Sequence, residues 1–507
     1  MITQVTKRTL ICSAVALTAA ISPAHADEIS DMQAQINALS AKLATIQSNE
    51  AREHKAEKAQ EAKDRAAAAA IATREDQDEA LTAARNAAAQ QELQRLAPTR
   101  AEQQGPNNNL YVTKGVLPGS FLIPGTTTSI RIGGFINFQG IYDPTQNLGP
   151  KFSIGNLVPD SPSTRATKDT FHFQSKVSRL IVQSSTPSDY GPILTTYALD
   201  FYGFVSGGDN NQALQNNSYS ARIVFAYGTI GPLTIGQLNS NFIDDPDQGE
   251  TFDNGGPAGV PAERTEQIRY TTFLFNKDSV FSVAAEDPQT GYQDTRGNIE
   301  APSTTNPMPD FSANYQYTSD IGHFQISGVF RDVGYTDGVG DRSTTFTGAG
   351  IVGATLNLAA LNPGFGQDNL GGQLWFGGIG RYLPDDFGAN EASVLAVNNG
   401  TTGTPVTIET KVDASHGFTV FAQHFWTERL RSTVAIGYNQ SQIASFLPAD
   451  VNNAKSTRTL HVNLILRPVP SVDLGVEAMI GQKQYQKSTG IGPQNAERIE
   501  LGGIWHF

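Results

Sequence analysis

After residue 129 polar and apolar residues alternate along much of the chain. In "SVDLGVEAMI", Val472, Leu474, Val476, Ala478 and Ile480 share one side of an extended strand, and Asp473, Gly475, Glu477 and Met479 share the other. A period of two marks a strand with one apolar face. "TRTLHVNLIL" sets Leu460, Val462, Leu464 and Leu466 against Thr459, His461 and Asn463, and "FQISGVFR" sets Phe324, Ile326 and Phe330 against Gln325, Ser327 and Arg331. Sixteen such runs occur, at about 129–142, 172–185, 192–204, 218–228, 232–239, 264–275, 278–287, 309–318, 322–332, 346–358, 370–382, 416–426, 431–442, 457–467, 472–484 and 496–507. Short connections ("TPSDYG", "TIG", "TERL", "PVPS") alternate with long ones (240–263, 288–308, 383–415, 443–456). No helices or second sheet are evident to cover the apolar faces, so lipid is the economical cover. The pattern predicts an all-β transmembrane barrel of 16 antiparallel strands over 129–507, with periplasmic turns and extracellular loops. A barrel of that size encloses an aqueous lumen, so its inner polar faces can stay wet.

Before residue 129 the pattern is different. Ile29, Met32, Ile36, Leu39, Leu43 and Ile46 recur at steps of three and four, the seam of an α-helical coiled coil. The seam fades into Ala and charge after Ile46, where a single solvated helix is the alternative. Residues 27–97 are therefore expected to form a periplasmic helix, and Pro98 with "EQQGPNNN" and "LPGSFLIPGTTT" to form a linker over 98–128. Residues 1–26 read as a secretory signal, with Lys7 and Arg8, an apolar run from Leu10 to Ile21, and Ala24-His25-Ala26 before Asp27.

Composition narrows the possibilities. No stretch beyond the first 25 residues approaches the ~20 apolar residues of a spanning helix, which excludes a helical membrane protein. The single cysteine, Cys12, lies in the signal, so the mature chain has no disulfide or thiolate metal site. The net charge of −13 argues against nucleic acid as a partner. Loss of Lys7 and Arg8 with the signal leaves 34 basic against 49 acidic residues, a charge of −15. The chain ends on "AERIELGGIWHF", an alternating strand closed by an aromatic, as in the terminal assembly signal of outer-membrane barrels. Trp426, Trp505, Tyr438, Tyr142 and Phe507 fall near strand ends, where aromatic girdles sit.

"SIRIGGFINFQGIYD", "GQLNSNFIDDPDQGETFDNGGPAG", "EQIRYT", "GIGRYL", "HFWTERLRSTVAIGYN" and "RPVPSVDLGVEAMIGQ" resemble recurring segments of the DcaP-like outer-membrane channels, in order, with 333–415 carrying the weakest match. The resemblance implies a homotrimeric porin with a periplasmic coiled coil, associated with small anionic solutes such as dicarboxylates. It also implies that the long connection after the fifth strand folds inward as a constriction. That connection holds Asp244, Asp245, Asp247, Glu250 and Asp253. "DDPDQGE" lacks the full spacing of a calcium loop, so neither metal nor cofactor is expected. On the polar faces, Arg179, Arg222, Arg269 and Arg498 each lie several residues before a periplasmic turn or the chain end, which predicts a basic wall near mid-membrane. Arg131, Arg331, Arg381, Arg431 and Glu477 are expected to face the lumen at other heights. The alternative is that these arginines pair with Asp200, Glu500 or loop carboxylates for stability.

A passive channel is favoured over two other classes. An outer-membrane hydrolase lacks a GxSxG motif, and His323, His416, His424, His461 and His506 show no Ser and carboxylate arrangement. A structural tether would reach the cell wall or another periplasmic partner through its coiled coil, with the barrel as a lipid-embedded anchor.

Overall fold

The computed structural model describes residues 112–161, 168–203, 219–294, 303–336, 342–383, 390–397, 407–442, 454–485 and 490–507. The expected signal and coiled coil lie outside them. Sixteen long strands make up the wall. The first eight are β1 (Ser129–Asp143), β2 (Arg179–Thr186), β3 (Ile193–Gly203), β4 (Ser220–Ile230), β5 (Leu233–Asn239), β6 (Arg264–Phe273), β7 (Ser279–Glu286) and β8 (Asp310–Ser319). The second eight are β9 (Gly322–Thr336), β10 (Arg342–Asn357), β11 (Asn369–Gly377), β12 (Ser415–Phe425), β13 (Leu430–Ser441), β14 (Ala454–Val469), β15 (Val472–Tyr485) and β16 (Gln494–His506). Each pairs antiparallel with the next, and β16 pairs with β1. The sheet is thus a closed barrel with no free edge.

The closing seam runs as far as Phe507. The Phe507 N–H donates to Gly134 O at 3.0 Å, and the Gly134 N–H donates to Phe507 O at 3.1 Å. Gly134 has φ +147, and a Cβ there would lie 2.1 Å from Arg179 O, so only glycine fits this close approach.

Burial is inverted relative to a soluble sheet. Along β15, Leu474, Val476 and Ile480 are exposed on the outer face while Asp473 and Glu477 are buried. Outward apolar and inward polar side chains are what a lipid-facing barrel requires. Trp426, Trp505, Tyr142 and Phe507 are exposed near strand ends, and Tyr438 is half-buried near the far end of β13.

Three expectations need correction. The run 172–185 is two pieces: Thr170–Gln174 pairs with one end of β1 and Arg179–Thr186 with the other. Ser178 Oγ fills the gap in the ladder, accepting from the Asn137 N–H (3.1 Å) and donating to Asn137 O (3.2 Å). The run 370–382 stops at Gly377, and a 3₁₀ turn over Gly380–Tyr382 lifts Arg381 off the wall. Nor is the lumen wet throughout. Three connections, β1–β2, β5–β6 and β11–β12, fold into it and build apolar clusters, one with Phe242, Ile243, Trp375, Ile379 and Tyr382, the other with Leu148, Phe152, Ile154, Leu157, Ala258 and Met479.

Candidate functional site

The connection between β5 and β6 runs out along the inner wall and back, held at each strand it passes. Glu286 on β7 accepts from Ser240 Oγ (2.7 Å), and Asn314 on β8 donates to Asn241 O (2.9 Å). On β9, Ser327 Oγ donates to Phe242 O and Gln325 Nε2 to Ile243 O. Thr355 Oγ1 on β10 donates to Asp247, and Gln423 Nε2 on β12 to Glu250 (2.6 Å). Arg431 on β13 grips Glu250 through Nε at 2.7 Å and reaches Asp473 at 3.2 Å. Asn463 on β14 donates to Glu250 O, and Glu477 on β15 accepts from the backbone N–H of Phe252 and of Asp253. Gln139 on β1 donates to Phe252 O at 2.9 Å. On the way back, Thr459 Oγ1 accepts from the Ala258 N–H and Trp375 Nε1 on β11 donates to Gly259 O at 2.7 Å. A Cβ at Gly437 would lie 1.9 Å from Ala258 O, so this glycine makes room for the loop.

The five loop carboxylates do not form one acidic face. Asp245 is taken up by the Asn239 and Gln248 amides, and Glu250 by Arg431 and Gln423. Asp253 caps the N–H groups of Phe152 (3.0 Å) and Gly255 (2.7 Å). Asp244 and Asp247 are fully buried side by side, next to His323 of β9. Burial pushes the carboxyl of Asp244 up to about 7 and that of Asp247 to about 8, the latter also through the neighbouring Asp244 charge.

The four arginines of the expected wall do not make one belt. Arg498 forms a bidentate ion pair with Asp143 (2.7 and 2.9 Å) and meets Glu500 at 3.3 Å, all three buried. Arg179 lies opposite Phe135, eight residues from Asp143 along the same strand, which is about 26 Å at ~3.3 Å per residue. Arg222 is bidentate to Asp200 at 2.6 and 3.0 Å. Arg269 donates to Gln267 Oε1 and Asn239 O. Among the other lumen residues, Arg331 pairs with Asp310 at 2.8 Å, Arg381 approaches Glu263 at 3.6 Å, and Arg131 donates to Gln183 Oε1 at 3.4 Å. Arg222, Arg331, Arg431 and Arg498 thus each lie in an ion pair with a carboxylate.

What the structure does gather is a basic group over aromatic faces on the β2–β6 side. Lys151, Lys176 and Arg222 lie 5.5, 5.8 and 5.1 Å from the Tyr202 ring centre. Arg179 and Arg264 lie 5.8 and 5.7 Å from that of Phe225. A bulge between Ala198 and Leu199 breaks the alternation on β4, and pairing with the buried Ala198 turns Phe225 inward. Lys151, Lys176 and Arg264 were missed in the sequence because Lys151 sits in a connection, Lys176 lies in the break that divides the run 172–185, and Arg264 opens a strand.

Histidine–carboxylate pairs exist: His461 Nδ1 to Glu477 at 2.6 Å and His424 Nδ1 to Asp368 at 2.7 Å. His461 Nε2, where a nucleophilic hydroxyl would bond in a triad, makes no hydrogen bond.

Residues 118–360 match a family model described as a porin subfamily. Among solved structures, the outer membrane channel DcaP of Acinetobacter baumannii superposes with a TM-score of 0.60 at 19% identity, covering 75% of this chain and 97% of that one. At that identity the likeness is one of fold. An anion-selective porin from Comamonas acidovorans gives 0.47 at 10% identity (75% and 100% covered), and in-vitro folded OmpT of Vibrio cholerae 0.42 at 8% (75% and 98%). The search of curated proteins gives no match.

Proposed function

Starting from a chain that is a DcaP-like porin in fold, we propose that it is an outer-membrane channel for passive diffusion of small hydrophilic solutes, with a modest preference for anions such as dicarboxylates. The observation that carries the anion preference is the basic group around Tyr202 and Phe225. The inward loop is anchored from β7 round to β15 and β1, so the passage it leaves lies toward β2–β6, where those cations are. Of the loop's own carboxylates, Asp245, Glu250 and Asp253 are taken up by hydrogen bonds, and Asp244 and Asp247 are buried against β9 and β10, away from that side. A solute charge ~10 Å from one cation gains about 0.4 kcal/mol in water, and a dianion twice that. At physiological salt the ~8 Å Debye length cuts this several-fold, so the preference is small and salt-dependent.

The expected assembly is a homotrimer in outer-membrane lipid, with the coiled coil on the periplasmic side. The test is the reversal potential of the purified protein in a planar bilayer under a salt gradient. Anion selectivity is expected, opposite in sign to the chain's net charge; cation selectivity would refute the basic passage. The second reading, a plugged anchor, draws on the two apolar clusters inside the barrel. Absence of any conductance in reconstituted, folded protein would favour it.

A further inference from the structure

Where the inward loop passes β9 and β10, three potential metal ligands converge without the partners that buried polar atoms require. Asp244 and Asp247 are both 0% exposed. No hydrogen-bond partner on the surrounding wall reaches either oxygen of Asp244, Asp247 Oδ2 or His323 Nε2. Two adjacent buried carboxylates with three of their four oxygens lacking a donor on the wall are costly. The surroundings orient them toward one point. Thr355 Oγ1 occupies Asp247 Oδ1, which leaves Oδ2 to face His323 Nε2 at 3.9 Å. Asp244 Oδ1 lies 3.6 Å from the same nitrogen. The other ring nitrogen, Nδ1, is 3.0 Å from Thr318 Oγ1; carrying the proton and donating it there, it leaves the Nε2 lone pair aimed at the carboxylates. Gly353 on β10 completes the recess, since a Cβ there would lie 2.0 Å from Asp244 Oδ2 and 2.7 Å from Asp247 Oδ2.

The geometry points to a binding site for a divalent transition-metal cation of the zinc class, held by Asp244, Asp247 and His323, that clamps the inward loop to the barrel wall. The three ligand atoms lie within 4.8 Å of one another. Tetrahedral bonds of ~2.0–2.1 Å place ligand atoms roughly 3.3 Å apart, so small movements close the observed 3.6 and 3.9 Å around an ion. An imidazole with two carboxylates suits zinc, whereas calcium takes six to eight oxygens. One cation would offset both buried charges and tie the segment at Asp244 and Asp247 to β9, ahead of its anchors at β12–β15. Asp245 takes no part, being held by Asn239 and Gln248.

The test uses the untagged mature protein, folded in detergent and stripped with EDTA. Titration with Co²⁺ is expected to give visible d–d absorption that saturates at one ion per chain and is displaced by Zn²⁺. His323→Ala should weaken Zn²⁺ binding tenfold or more, and Asp244→Asn with Asp247→Asn should abolish the Co²⁺ spectrum. Folding of each variant is checked by heat-modifiable gel migration. Should the double variant fail to fold, the wild-type Co²⁺ spectrum and His323→Ala still decide. No stoichiometric Co²⁺ or Zn²⁺ uptake by the folded wild type would overturn the site. So would uptake unchanged in His323→Ala, or the infrared band of a protonated carboxyl persisting at saturating Zn²⁺, which would mean the carboxylates share a proton instead. None of these readouts depends on ion selectivity, so the site and the proposed channel preference stand or fall separately.

Discussion

The two sides of the lumen use the same residue types for different ends. From β7 to β15 and on to β1, inward charges sit against the folded-in connections and are consumed in pairs: Arg431 with Glu250, Arg331 with Asp310, Arg498 with Asp143. On the β2–β6 side, cations lie over aromatic rings, and Asp200 is the carboxylate bonded to Arg222. The difference is one of cover. A loop laid on a wall excludes water and drives most of the charges beneath it into pairs, while the proposed selectivity requires the wall facing the passage to keep its charges hydrated.

The sharpest way to break that comparison is to remove a cation from the covered side. Arg498→Gln leaves Asp143 and Glu500 buried without it, and should cost about 3–5 kcal/mol. A lower temperature for the heat-modifiable gel shift is expected; an unchanged one would mean that the pair is dispensable. Next comes the loop itself. Gly437→Val drives a side chain into Ala258 O, and overpacking of this kind costs about 1–3 kcal/mol. Single-channel conductance should rise as the loop is displaced, and an unchanged conductance would show that the loop does not limit the passage.

The open side is tested by smaller effects. Arg179→Gln with Arg264→Gln removes two cations, about 0.8 kcal/mol for a monoanion before screening and about 0.3 at physiological salt. The reversal potential should move toward cations while thermal stability holds. The smallest change needs no variant: raising salt from 0.1 to 1 M shortens the Debye length from ~10 to ~3 Å, and the anion preference of the intact channel should fade. A preference that persists at 1 M would place selectivity in direct contacts instead of long-range charge.

Much of the barrel was legible in the chain because its determinants are local. A period of two with Leu474, Val476 and Ile480 facing outward states which face meets lipid, and each strand states it for itself. The sixteen runs fall on the sixteen strands, and the exceptions are local events that pattern does not record: the step at residues 175–178, and the 3₁₀ turn carrying Arg381. The lumen was less legible. That Arg498 meets Asp143 and Arg222 meets Asp200 depends on register between strands, and a tilted barrel converts equal distances from a turn into unequal heights.

The alternating residues of 129–507 determined by themselves that this chain is a barrel, since lipid outside and closed hydrogen bonding leave a period-two sequence no other way to cover its apolar faces. Only the tertiary structure decided how the interior is used. An inward loop chooses its contacts across the whole circumference, so Asp244 and Asp247 meet a histidine on β9, Glu250 an arginine on β13 and Phe252 a carboxylate on β15. Those meetings are set by where closure of the barrel brings distant strands, and no spacing along the chain encodes that distance.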